Sequence, residues 1–209
     1  MGYLRFFLLI SPAYFEASEL ILYGLIPLVF IVCINEFRKN NKSPVYSISV
    51  VLFSVLYIVV PLYLGFDIHI GDNNEFPKLL GLFILVWTND TFAYICGNLF
   101  GRNKLFERIS PKKTLEGSFG GIVFSIFVGY LIGTWIEPDY TFFWLISSVI
   151  ISLFAILGDL FESMIKRKAN VKDTGNIIPG HGGVLDRFDA VFFSIPIFYF
   201  WNVIYFALN

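Results

Sequence analysis

Residues 142–189 read FFWLISSVIISLFAILGDLFESMIKRKANVKDTGNIIPGHGGVLDRFD. The first half is an apolar run of the length a helix needs to cross a bilayer, about 20 residues. It passes directly into an interval punctuated by Gly and Pro that holds Lys166, Arg167, Lys168, Lys172, Asp173, His181, Asp186, Arg187 and Asp189. Charge beside a lipid-length segment is costly, so a dense mixed-sign cluster there points to an active site. The cations and the Gly182-Gly183 backbone suit phosphate oxygens, and the carboxylates suit a hard divalent metal. Together they point to phosphoryl- or nucleotidyl-transfer chemistry.

The rest of the chain supports the membrane reading. Of 209 residues, 56% are hydrophobic, 19% aromatic and 15% charged, and the mean hydropathy is +0.72. Soluble domains carry about 25% charged residues, and a soluble core of this size could not hide so much apolar surface. The expected fold is all-α, a polytopic bundle of about six transmembrane helices near 20–34, 45–66, 79–101, 115–136, 142–165 and 188–208, with 1–209 forming one membrane-embedded domain. Residues 3–15 read as a half-span or an interfacial piece, without the cleavage site of a signal peptide. Cys33 and Cys96 both lie in apolar stretches, which argues against a disulfide framework or a Cys-based metal site.

Charge alternates between the loops. Arg38, Lys39 and Lys42 follow the first expected span, and Asp67, Asp72 and Glu75 the second. Arg102, Lys104, Arg108, Lys112 and Lys113 follow the third, and Glu137 and Asp139 the fourth. Basic loops stay on the cytoplasmic side. The charged interval should therefore face the cytoplasm, where nucleoside triphosphates are, and Asn209 should lie on the far side.

The order Ser163-x-x-Lys166-Arg167, Lys172-Asp173-x-Gly175, Pro179-x-His181-Gly182-Gly183-x-x-Asp186-Arg187-x-Asp189 resembles the hallmark of phosphatidate cytidylyltransferases, also called CDP-diacylglycerol synthases. The likeness extends upstream through Asp90-x-x-Ala93-Tyr94-x-x-Gly97 and Ser110-Pro111-Lys112-Lys113-Thr114-x-Glu116-Gly117, and so covers the chain from about Leu79 onward. Family members usually carry further N-terminal spans, so the chain is expected to begin inside that region.

Four groups of residues carry the chemistry. Asp159, Glu162, Ser163 and Lys166 recur at i, i+3, i+4 and i+7, one stripe of a helix that must face the bundle interior. Asp159 reads as a metal ligand, against the alternative of an Asp–Lys pair that only fixes packing. Asp186 offers a second carboxylate, with His181 and the Gly182-Gly183 backbone placed to contact phosphate. For Asp189, capping of the last helix is an equally good account. Asn89 and Asp90 lie mid-span, with Asp90 a third metal candidate, while Gly97-x-x-x-Gly101 suits close helix approach. Ser110, Lys112, Lys113 and Thr114 open the fourth span and suit nucleotide or headgroup phosphates, although Ser110 and Thr114 are also natural caps.

The resemblance implies transfer of a cytidylyl group from CTP to phosphatidate with Mg²⁺, at the inner (cytoplasmic) membrane. Lys166, Arg167, Lys172, Asp173, His181 and Arg187 would form the catalytic set; Ser110, Lys112, Lys113, Thr114, Gly182 and Gly183 would bind substrate; Asp159, Asp186 and Asp90 would hold metal. The expected partners are CTP, phosphatidate and the bilayer, with a homodimer left open and nucleic acid excluded, because the basic residues are confined to loops beside spans. One rival is a CTP-dependent polyprenol or phytol kinase. The other is a cation-coupled transporter, which the lack of an internal repeat disfavours.

Overall fold

Inside lipid every backbone N–H and C=O must be satisfied within the protein, which leaves helices as the way for this apolar, Phe-rich chain to cross. The computed structural model describes residues 48–49, 52–70, 76–168, 171, 183 and 185–208. Within them, five segments are long and apolar enough to span a bilayer: Leu52–His69, Lys78–Phe100, Leu115–Ile136, Pro138–Lys168 and Asp186–Leu208. The fold is all-α and polytopic. The span expected near 20–34 lies outside the described residues, as do Lys172, Asp173, His181 and Gly182.

The chain divides into two compact units, Met1–Gly71 and Asp72–Asn209. In the first, α1 (Val60–Ile70) follows a wide π-helical turn at Val55–Val59. Pro61 supplies no N–H and its ring crowds the preceding turn, and a widened turn relieves both defects.

The second unit consists of α2 (Lys78–Phe100), a short hairpin of β1 (Lys104–Phe106) and β2 (Ser110–Thr114), α3 (Leu115–Leu131), α4 (Thr141–Lys168) and α5 (Leu185–Leu208). Helix α2 packs chiefly on α3 and α4 chiefly on α5; α3 joins the two pairs by lying against α4. The hairpin differs from the expectation of a plain loop leading into a helix. It is antiparallel, pairing Lys104 with Thr114 and Phe106 with Ser110, so Pro111, Lys112 and Lys113 lie opposite Leu105 alone. Such a bulge re-aims side chains next to functional sites.

Lipid tails are as apolar as Leu, so burial of apolar surface does not drive these helices together. Close approach of their backbones does. A Cβ at Gly117 would come within 2.6 Å of the Ala93 carbonyl oxygen, and one at Gly121 within 2.6 Å of the Asn89 carbonyl oxygen. These glycines let α2 and α3 touch, and Gly97, expected to allow close helix approach, faces Gly117, whose Cα a Cβ there would meet at 3.7 Å.

The end of the bundle away from the charged segment is closed by aromatics. Phe143 packs among Trp144, Phe198, Trp201, Tyr205 and Phe206, with ring centroids 5.1 to 6.2 Å away. The turn between α3 and α4 is tied by two polar contacts. Glu137 N–H closes a π turn on Ile132 O at 2.9 Å, and Trp144 Nε1 donates to Glu137 Oε2 at 2.6 Å. Trp144 is fully buried and lies directly over Gly81 of α2. Replacing Trp144 with Phe keeps an aromatic ring but removes the donor to a buried carboxylate. Unfolding should become easier by about 1–3 kcal/mol, seen as a lower thermal midpoint in detergent; an unchanged midpoint would show that the turn does not depend on this bond.

Candidate active site

Four elements of the second unit bring charge to one end of the bundle. Helix α4 contributes the stripe foreseen from its spacing. Glu162 and Lys166 form an i,i+4 pair at 3.5 Å, and Ser163 Oγ donates to Asp159 Oδ1 at 3.3 Å. The three cations of its last turn, Lys166, Arg167 and Lys168, also complement the negative end of the helix dipole. Helix α5 begins with Asp186 in its first turn. Its Oδ2 accepts from Gly183 N–H at 2.8 Å, so this N–H, expected to meet phosphate, is engaged by the carboxylate instead.

Two lysines tie these pieces together. Lys166 Nζ lies 2.7 Å from Asp186 Oδ1 and joins α4 to α5. The side chains are only 14% and 7% exposed, so the pair is largely removed from water. Lys113, turned inward by the bulge of β2, pairs with Asp159 of α4. Asp90 of α2, expected inside a polar cavity, is exposed, within electrostatic reach of Lys113, Asp159 and Asp189. Asp90, Lys113, Asp159, Glu162, Lys166, Asp186 and Asp189 thus form one polar cluster drawn from α2, β2, α4 and α5. Charges at this depth persist only when paired or facing a polar cavity, and the Lys113–Asp159 and Lys166–Asp186 pairs meet that condition.

The other expected site residues are placed differently. Thr114 is buried, and its Oγ1 accepts from Gly117 N–H at 3.1 Å, so it caps α3. Ser110 is half-buried at the turn end of the hairpin, opposite Phe106, and Lys112, Arg167 and Arg187 are exposed. Lys112 and Lys113, neighbours in sequence, are therefore separated in role, one facing out and one facing the carboxylates.

Glu162 was not among the expected site residues, although it lies on the Asp159 stripe. It is 1% exposed. Among the described residues no N–H donates to its oxygens, and the Lys166 ammonium stands off at 3.5 Å. The Glu162 and Asp189 carboxyls lie side by side. The signal in the sequence was the i+3 step from Asp159, which places Glu162 inside the bundle.

The donor set fits a hard divalent cation in chemistry: carboxylate oxygens, including those of buried Glu162, to which no N–H donates among the described residues. Among the described residues no three acidic, His or Cys side chains converge tightly enough to hold an ion by themselves. Lysine ammonium groups occupy the near faces of Asp159 and Asp186 instead.

With this geometry in place, comparison with known proteins is decisive. The sequence profile of the cytidylyltransferase family matches residues 2–205. The chain belongs to that family. A phosphatidate cytidylyltransferase of Staphylococcus epidermidis is 40% identical over 176 residues, covering 83% of this chain and 66% of the relative. One from Staphylococcus saprophyticus is 37% identical over 182 residues, covering 86% and 68%, and one from Staphylococcus aureus is 38% identical over 183 residues, covering 83% and 66%. The chain thus spans just under two thirds of the S. epidermidis and S. aureus relatives. The family resemblance seen in residues 163–189 is borne out.

Proposed function

We propose that this protein transfers the cytidylyl group of CTP to phosphatidate, giving CDP-diacylglycerol and pyrophosphate, at the cytoplasmic face of the inner membrane. The observation that carries the reading is the two-lysine cluster, in which Lys113–Asp159 and Lys166–Asp186 bring α4, α5 and the base of α3 together at the end of a membrane bundle. Family membership makes the cytidylyl group the one transferred.

The lipid phosphate oxygen attacks the α-phosphorus of CTP, a new P–O bond forms, and the bond to the bridging oxygen breaks to release pyrophosphate. The nucleophile is already an anion, so no strong base is needed. The difficulty is bringing two anions together, and cations fixed beforehand address it. Lys113 and Lys166 are held at the site by carboxylates rather than by water, so their charge is in place before substrate arrives. The exposed Arg167 and Arg187 extend positive charge toward incoming phosphates, and Arg adds a planar two-point contact that Lys lacks. Asp159 and Asp186, with Asp90, would hold Mg²⁺, which supplies Lewis-acid neutralisation of the triphosphate.

Purified protein incubated with labelled CTP, phosphatidate and Mg²⁺ should yield a cytidine-labelled lipid together with pyrophosphate. Chelation by EDTA should abolish it, and added Mg²⁺ should restore it. A phosphorylated alcohol with release of CDP would favour the lipid-kinase reading, and no lipid product with any acceptor would remove both. A single cysteine replacing Arg108, in a background lacking Cys33 and Cys96, should be labelled from the cytoplasmic side only; labelling from the other face would overturn the proposed orientation.

A further inference from the structure

The hairpin that delivers Lys113 to the cluster carries a second set of features that the transfer chemistry does not use. It leaves the membrane between the end of α2 at Phe100 and the start of α3 at Leu115, so it sits at the bilayer surface. Arg102, Lys104, Arg108 and Lys112 are all exposed on or beside it. Two carboxylates lie nearby. Glu116 is occupied locally, accepting from Arg102 N–H at 3.1 Å, Asn103 N–H at 3.2 Å and Asn103 Nδ2 at 2.8 Å, which leaves Glu107 as the exposed acid of the hairpin. At its turn, Phe106 is 52% exposed, between Lys104 and Arg108 in sequence. Leu99, Phe100, Leu115 and Phe119 form an exposed apolar collar beneath it.

We propose that this hairpin is a docking surface for the headgroups of anionic phospholipids. Phe106 enters the acyl boundary while Lys104, Arg108 and Lys112 engage phosphates. The pattern is that of an interfacial anchor, an apolar side chain flanked by cations, which gains from anionic lipid and not from apolar depth alone. Basic residues that merely orient a membrane protein need charge alone. Here the charges are held in a fixed frame, with strand pairing, Leu115 N–H on Asn103 O at 3.0 Å and Ile109 N–H on Phe106 O at 3.1 Å. Strand β2 then runs from exposed Lys112 to Lys113 on Asp159. A phosphate held at the hairpin is therefore one residue along the strand from the cluster. That the docked lipid is also the acceptor rests on the proposed cytidylyl transfer; the docking itself does not.

The test separates the two. Phe106→Cys, in the background lacking Cys33 and Cys96, is labelled with an apolar fluorophore and reconstituted into vesicles containing brominated phosphatidylcholine. One set is otherwise pure phosphatidylcholine, and the other is an equimolar mixture with phosphatidylglycerol. Quenching should be clearly stronger in the anionic vesicles. It should fall toward the zwitterionic value with Lys104→Gln/Arg108→Gln, each charge contributing about fivefold in surface partitioning, and high salt should weaken it. Equal quenching in both vesicles, or no change in the double variant, would overturn the proposal. In the activity arm, Lys104→Gln/Arg108→Gln should raise the surface KM for phosphatidate about fivefold or more, with kcat and the KM for CTP unchanged. A rise in the KM for CTP, or an unchanged surface KM, would overturn the acceptor link. Absence of any cytidine-labelled lipid from the parent would strike at the transfer reading, while the quenching arm still decides the docking.

Discussion

Asp186→Asn and Asp159→Asn should each lower turnover by at least about a thousandfold while leaving a helical protein in detergent. Each substitution keeps the shape of the side chain and removes its charge. In a site of low polarity that loss acts twice: a metal-binding oxygen is weakened, and the facing lysine loses the partner that holds it for substrate. Removal of a single electrostatic contact in such sites typically costs a hundredfold to a thousandfold in rate, roughly. The Lys166–Asp186 pair is the more sheltered of the two, so Asp186→Asn should also destabilise, by about 3–5 kcal/mol at most, because it leaves Lys166 with less compensation. Asp186→Asn combined with Lys166→Met separates the two effects. The double variant should recover most of the thermal midpoint and none of the activity. If it recovered activity as well, the Lys166–Asp186 pair would be a packing device.

The second large effect comes from a residue that touches no substrate. A Cβ at Gly158 would lie 2.6 Å from Phe193 Cβ, 2.9 Å from the Asp189 carbonyl oxygen and 3.3 Å from Ala190 Cα. Two of these atoms are backbone and cannot swing away. Gly158→Ala must therefore push α4 from α5 by roughly half an ångström to one ångström, just where Asp159 and Asp189 face each other, and overpacking of this kind costs about 1–3 kcal/mol. A misplacement of that size in a catalytic constellation is worth about a hundredfold in rate. Gly133→Ala is the matched control. Its Cβ would meet Thr141 Cα at 2.6 Å, an equally rigid neighbour, but at the opposite end of the bundle. Both variants should lose similar stability, and Gly158→Ala alone should lose most of its kcat. Equal kcat values would mean that the spacing of α4 and α5 at Gly158 does not set the site.

Much of this protein was legible before any coordinates. Apolar runs of bilayer length can be satisfied as helices, so the segments Lys78–Phe100 and Leu115–Ile136 follow from hydropathy alone. The stripe of Asp159, Glu162, Ser163 and Lys166 follows from the 3.6-residue repeat, and the hallmark across residues 163–189 carried the family. These properties are local, set by the lipid solvent and by helix geometry. The hairpin was not legible. Three and five residues rich in Lys and broken by Pro111 have no alternating apolar pattern, and the strands exist because Glu116 and the ends of α2 and α3 hold them.

Which cation meets which carboxylate was decided only in three dimensions. Lys112 and Lys113 are equivalent on paper, and a bulge opposite Leu105 turns one of them toward Asp159. Lys166 could have stayed with Glu162 on its own helix, yet it lies closer to Asp186 because α5 passes alongside α4. Glu162 is left buried beside Asp189, with Lys166 at 3.5 Å, for the same reason. The charges and the helices that carry them are written in the order of residues. Their pairing is set by how closely glycines such as Gly117 and Gly158 let neighbouring backbones approach, because in a low-dielectric bundle a shift of an ångström decides which opposite charges meet.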